Sequence, residues 1–290
     1  MMTLVVARKL TECHIEIVSD MRVTDLNDAG RKLFKSGALK AVVISRSRCI
    51  CYAGNLHRAL HTLESLFQKK LEDPPTETLI DFLLKAHSEG NRDTDFILCE
   101  LGEKAHIHAI RDLAHADVEM IWLGDHGAFS TYQEYLAANI NKSETSDLRQ
   151  PMRLAMMVLI QNSSRNSHPT VGEHAIAVTS TEHGFMYCFY SLGFPVTLEK
   201  GEKTAKNDAP RGGYAESILV PKSPGIGAVA VHFFPGNVGV LYYPKLAMAP
   251  VVTRNVNTAQ FRAHLMDSTD VEFTGFDNSY ITTSIQGGPQ

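Results

Sequence analysis

The opening stretch constrains this chain more than any other. Thr3-Leu4-Val5-Val6-Ala7 and Ile15-Glu16-Ile17-Val18-Ser19-Asp20 are β-branched-rich runs split by the polar segment Arg8 to His14. That pattern predicts a hairpin whose first strand starts within a residue or two of the chain start. First residues are ordinarily frayed and dispensable, so a core strand begun here puts Thr3, the first hydroxyl residue, in a position to be presented. If the two methionines ahead of it are removed, Thr3 carries a hydroxyl and a free α-amine together, a nucleophile and its own general base. Read alone, the stretch fits a plain buried strand better.

With 290 residues, 44% of them hydrophobic and 21% charged, the chain can bury a substantial core as one large domain or two modest ones. A net charge of -4 and no block of Lys and Arg give no electrostatic footprint for nucleic acid or an anionic membrane. Arg8 and Lys9 interrupt the first apolar run, so neither a secretory signal nor a spanning helix is expected, and the cytoplasm is the expected compartment. The five cysteines, Cys13, Cys49, Cys51, Cys99 and Cys188, are odd in number and mostly lie in apolar runs, which fits reduced core thiols. Cys49 and Cys51 share a strand face without a second ligand pair, and His106 and His108 share another without a third ligand. No metal and no cofactor is expected at either place.

The remaining pattern is one of hairpins and paired helices. Lys40 to Ile44 and Cys49 to Ala53 predict two strands around Ser45 to Arg48, closed by Gly54. Asn55 is placed to cap a helix with Leu56, Leu60, Leu63 and Phe67 on its apolar stripe. Pro74-Pro75-Thr76 starts a second helix that stops at Gly90. Phe96 to Leu101 and Ala105 to Ile110 predict a hairpin, Met120 to Gly124 a strand, and Phe129 to Asn139 a helix. Leu148 to Gln161, rich in Met and Leu on more than one face, predicts a helix buried between layers. Ala175 to Ser180 and Phe185 to Tyr190 form a further hairpin turning at Glu182-His183-Gly184. The polar, Gly- and Pro-containing segment Glu199 to Gly213 marks the best boundary. The expected organisation is a domain over 1–198, a loop over 199–213 and a β-rich extension over 214–290, with a hairpin about Pro235-Gly236-Asn237.

This order of elements, with its motifs, resembles the N-terminal-nucleophile hydrolases, and within them the proteasome-like peptidases of the HslV and Anbu type. The resemblance runs from about Thr3 to Tyr190. It rests on Met2-Thr3 entering the first strand, Ser19-Asp20 with Arg22, Lys40 leading the third strand, and Tyr52-Ala53-Gly54 before a helix. Leu123-Gly124-Asp125 and Ser163-Ser164-Arg165-Asn166-Ser167 ahead of Thr170-Val171-Gly172 complete the set. It implies an α+β fold, a four-layer αββα sandwich, and a homo-oligomer, ring or helical, that cleaves peptide or amide bonds. A peptide or protein substrate and an unfoldase ATPase are the implied partners.

The resemblance also assigns roles residue by residue. Thr3 matches the nucleophile, Lys40 the cation that depresses the pKa of its amine, and Asp20 the acid that positions the lysine. Gly54 matches the backbone N–H facing the oxyanion, at a helix start where negative charge is favoured. Asp125 stands where proteasome subunits commonly carry a serine beside the nucleophile, and Ser163 is retained, whereas Asn162 replaces an aspartate. Met1-Met2 resists ordinary methionine trimming, which leaves translation from Met2, autolytic removal of the dipeptide, or the alternative of a non-catalytic assembly subunit of the same fold. Assembly is further expected because the two helices Asn55 to Lys70 and Thr76 to Gly90 carry more Leu and Phe than one packed layer needs.

Overall fold

The computed structural model describes residues 4–21, 37–112, 114–140, 147–162, 171, 175–189, 214–233 and 236–280. The expected N-terminal hairpin is present as β1 (Leu4–Thr11) and β2 (His14–Asp20), with Val5 opposite Ser19 and Ala7 opposite Ile17. Successive side chains on β1 point to opposite faces. Val5 and Ala7 enter one apolar cluster, Leu4 and Val6 another. A strand buried on both faces needs the uninterrupted Leu-Val-Val-Ala run that the sequence carries.

β1 and β2 lie inside a five-stranded antiparallel sheet. It is flanked by β8 (Met120–Gly124) on one side and by β9 (Ala175–Thr181) and β10 (Gly184–Phe189) on the other. A second antiparallel sheet comprises β3 (Ala41–Val43), β4 (Arg48–Gly54), β5 (Thr94–Leu101), β6 (Ala105–Arg111) and β7 (Ala114–Asp117), in that order. Ile15 and Ile17 of the first sheet share a cluster with Ile50, Cys51 and Ile97 of the second. Leu63 and Leu66 of α1 (Leu56–Gln68) and Leu79 and Leu83 of α2 (Thr76–Glu89) join that cluster. The other face of the first sheet is covered by α3 (His126–Ile140) and α4 (Arg149–Asn162), which contribute Phe129, Tyr132, Leu136, Met152, Met156 and Leu159.

Helix starts follow local chemistry. Asn55 caps α1, its Oδ1 accepting the Arg58 N–H at 3.2 Å. α3 begins earlier than its apolar stripe predicts, because Asp125 accepts the Ala128 N–H at 3.0 Å and so fixes the first turn. Cys49, Cys51 and Cys99 are buried free thiols, Cys188 is half-buried and Cys13 exposed.

Beyond residue 213 the chain builds more than the one expected hairpin. β11 (Tyr214–Pro221), β12 (Val229–Phe233), β13 (Val238–Tyr243), β14 (Ala247–Arg254) and β15 (Phe273–Tyr280) form a third antiparallel sheet, with α5 (Thr258–Thr269) beside it. Ile218, Val229, Val231, Val240 and Tyr242 of this sheet belong to the same cluster as the inter-sheet core. At Gly227 the backbone passes so close to β3 that a Cβ would stand 2.2 Å from the Val43 carbonyl oxygen.

The Leu and Phe side chains of α1 and α2 are buried or half-buried, and the exposed large hydrophobic residues among those described are Ile140, Leu246, Val251, Val252 and Met266. Leu56, Leu60, Phe67, Phe82 and Leu84 are only half-buried, so part of this apolar face stays open in the single chain. Part of the surplus is covered within the chain, where Met248 of β14 packs on the same cluster as Leu56 and Phe67.

Candidate active site

The end of β2 and the segment before β3 bring together two charges that lie 20 residues apart in sequence. Asp20 is 0% exposed and Lys40 1% exposed. The Lys40 ammonium donates to both carboxylate oxygens, at 3.0 Å each. Asp20 Oδ1 also accepts the Leu4 N–H at 2.9 Å. Ions taken out of water are tolerated only when paired and hydrogen-bonded, and removing one partner of such a pair leaves a costly buried charge. The Leu4 nitrogen belongs to the peptide unit that joins Thr3 to Leu4, so the pair grips the main chain directly after the candidate nucleophile.

Lys40 is held by its backbone as well as by its charge. Its carbonyl accepts the Tyr52 N–H at 3.1 Å, and the Ala38 N–H donates to the Met21 carbonyl at 2.8 Å. The segment is thus fastened both to β4 and to the residue following Asp20. Burial pushes the Tyr52 phenol pKa well above its ordinary value, so the hydroxyl stays protonated and donates to the Leu39 carbonyl at 3.0 Å. This supporting role of Tyr52 is invisible from its place in an apolar strand. Only the meeting of β4 with the 37–40 segment creates it.

Gly54 closes β4 with φ +107°, a conformation that side-chain-bearing residues rarely adopt, and a Cβ would sit 2.0 Å from the Asp93 carbonyl oxygen. The next residue, Asn55, donates its N–H to that oxygen at 2.9 Å and begins α1. Gly54 therefore lies at a helix N-terminus, as expected. Asp125 follows Gly124, which stands opposite Leu4 in the β1–β8 register. It lies one step past the start of described β1 and caps α3. Thr3 and Ser163 lie outside the described residues, as do Arg22 and the 163–167 cluster; for Asn162 only the backbone is described.

No protein-family model and no curated protein matches the chain. Among solved structures it is similar to an Anbu (Gly-1) mutant from Hyphomicrobium sp. strain MC1, with a TM-score of 0.47 and 17% identity, over 67% of this chain and 89% of that one. It is also similar to eukaryotic HslV from Trypanosoma brucei, with a TM-score of 0.44 and 18% identity, over 61% of this chain and 98% of that one. These are the two types of proteasome-like peptidase that the sequence motifs resemble. At this level of likeness the functional reading rests on the residues themselves.

Proposed function

We propose that this chain is a proteasome-like threonine hydrolase of peptide or amide bonds, a four-layer αββα sandwich acting in the cytoplasm as a homo-oligomer. The observation that carries the reading is the buried Asp20–Lys40 pair bonded to the Thr3–Leu4 peptide unit. A free α-amine titrates at about 7.7–8.0, and a nearby fixed cation lowers that value by disfavouring the ammonium form. Lys40 supplies the cation and Asp20 orients it. With its amine free and neutral, Thr3 loses its hydroxyl proton to that amine as Oγ attacks the substrate carbonyl. The oxyanion is received by the backbone N–H at Gly54. Collapse expels the leaving amine, which takes the proton, and water then hydrolyses the Thr3 ester. The resemblance gives Asp125 and Ser163 supporting roles for Thr3.

Asn162, neutral where the family carries an aspartate, favours a second reading as a non-catalytic assembly subunit. The mature N-terminal mass and labelling by a peptide epoxyketone, which reacts with an N-terminal threonine, separate the two. The enzyme reading expects Thr3 as first residue, with labelling and turnover both lost in Thr3→Ala. Retained Met1 with no labelling, or unchanged hydrolysis by Thr3→Ala, overturns it. No helix among the described residues is long and apolar enough to cross a membrane.

A further inference from the structure

A second group of titratable side chains lies on β6 and β7, at the edge of the second sheet. His106 and His108 share one face of β6, with ring centroids 5.8 Å apart and planes 12° apart. Asp117 of β7 stands opposite His108, and His115 stands opposite Ile110. Strand alternation therefore brings His115 and Asp117 to the same face as the β6 histidines. His108 Nδ1 lies 2.8 Å from His115 Nε2, and His106 Nδ1 lies 2.7 Å from Asp117 Oδ2.

We propose that His108 Nδ1 and His115 Nε2 are the two protein ligands of a divalent transition-metal site, with water completing the coordination sphere. Bond lengths of 2.0–2.1 Å in a tetrahedral zinc site put two imidazole nitrogens roughly 3.3 Å apart. The observed pair has to open by only about half an ångström to admit an ion. The two sides are suited to that adjustment. His108 is 7% exposed and held within β6, while His115 is exposed on a strand at the sheet edge.

The surroundings of His108 match those of a ligand. Its Nε2 is buried without a hydrogen-bond partner, and the nearest acid, Glu100 Oε2, is 3.8 Å away. An ion on Nδ1 leaves the proton on Nε2, on the side of Glu100 Oε2, which at 3.8 Å lies beyond hydrogen-bond distance in the metal-free chain. Among the described residues no three His, Cys, Asp or Glu side chains already form a cage, so affinity rests on the imidazole pair. Imidazole selects zinc, nickel or copper over magnesium and calcium.

Calorimetric titration of the untagged full chain with Ni2+, Zn2+ and Mg2+ tests the site. One equivalent of Ni2+ or Zn2+, and no Mg2+, is the expected uptake. His115→Ala, which changes an exposed residue, should weaken binding at least about 10-fold without moving the melting temperature of the metal-free protein. His108→Gln, checked for folding by circular dichroism, should weaken it similarly, while His57→Ala on the exposed side of α1 keeps the parent affinity. The proposal fails if the parent chain takes up neither Ni2+ nor Zn2+, if His115→Ala binds as the parent does, or if His57→Ala loses binding equally.

Discussion

Two buried ion pairs in this molecule use similar chemistry for different ends. Arg153 of α4 holds Glu16 of β2 through Nε at 2.6 Å and Nη2 at 3.2 Å. Glu16 and Asp20 are both 0% exposed and both lie on β2. The Arg153 fork fastens a helix to a sheet, and its planar geometry matches the carboxylate on two sides. Lys40 is a point charge that leaves Asp20 free to take the Leu4 N–H as well. The two pairs are four residues apart on one strand, yet one latches α4 and the other reaches the main chain beside Thr3. Burial and pairing thus identify a costly feature, and the identity of the further hydrogen-bond partner, the Thr179 side chain at Glu16 and the Leu4 main-chain N–H at Asp20, separates latch from site.

The largest expected effect breaks this comparison on activity. Lys40→Met should reduce turnover by at least about 10²-fold, the weight of a general acid–base contribution. Arg153→Met should leave turnover near the parent value in the folded protein. Peptide-amide hydrolysis measured well below both melting temperatures checks it. A Lys40→Met enzyme that keeps the rate and the acidic limb of the pH–rate profile would make both pairs latches.

On stability the pairs should look alike. Each substitution leaves a buried carboxylate without its cation, at a cost of about 3–5 kcal/mol. Urea unfolding of the two variants measures this, and a much smaller loss for Arg153→Met would mean that water reaches Glu16.

A smaller effect sharpens the comparison through a third acid. Burial raises the Glu16 pKa even against Arg153. At Glu100 burial also raises it, but hydrogen bonds from Thr76 and Arg48 outweigh that and hold it below the ordinary value. A carboxylate with a lowered folded pKa gives stability that is present above its unfolded value, 4.5, and lost as pH falls through the folded one. Glu16 has the opposite sign, its contribution declining as pH rises past 4.5. Glu100→Gln should therefore flatten the loss of stability on acidification, which unfolding curves collected on both sides of 4.5 will register.

The hairpin β1–β2, the strand pair ending at Gly54, the caps and the paired helices were readable because each is written in local pattern. Asp20 and Lys40 were nameable only through the family resemblance, since alone Lys40 reads as a solvated strand end and Asp20 as an ordinary turn carboxylate. Their pairing is a long-range event. His115 went unnoticed because Ala114-His115-Ala116-Asp117 has no β-branched residue to announce a strand. α5 buries only Phe261 and Leu265, too thin a stripe to stand out, and Pro250 weakens the strand signal of β14. The apolar excess of α1 and α2 was visible, but counting Leu and Phe cannot reveal that β14, nearly two hundred residues later, helps to cover it.

The close approach of Gly227 to Val43 has a consequence for how the protein is made. Ribosomes add about 5–20 residues per second, so β3 waits on the order of ten seconds or more for the strand segment that closes over it. Throughout that interval the growing chain holds a half-covered apolar surface around Val42 and Val43. Chaperone demand should therefore peak late in synthesis, and a pause placed ahead of residue 227 would lengthen the exposure while one placed after Tyr242 would not.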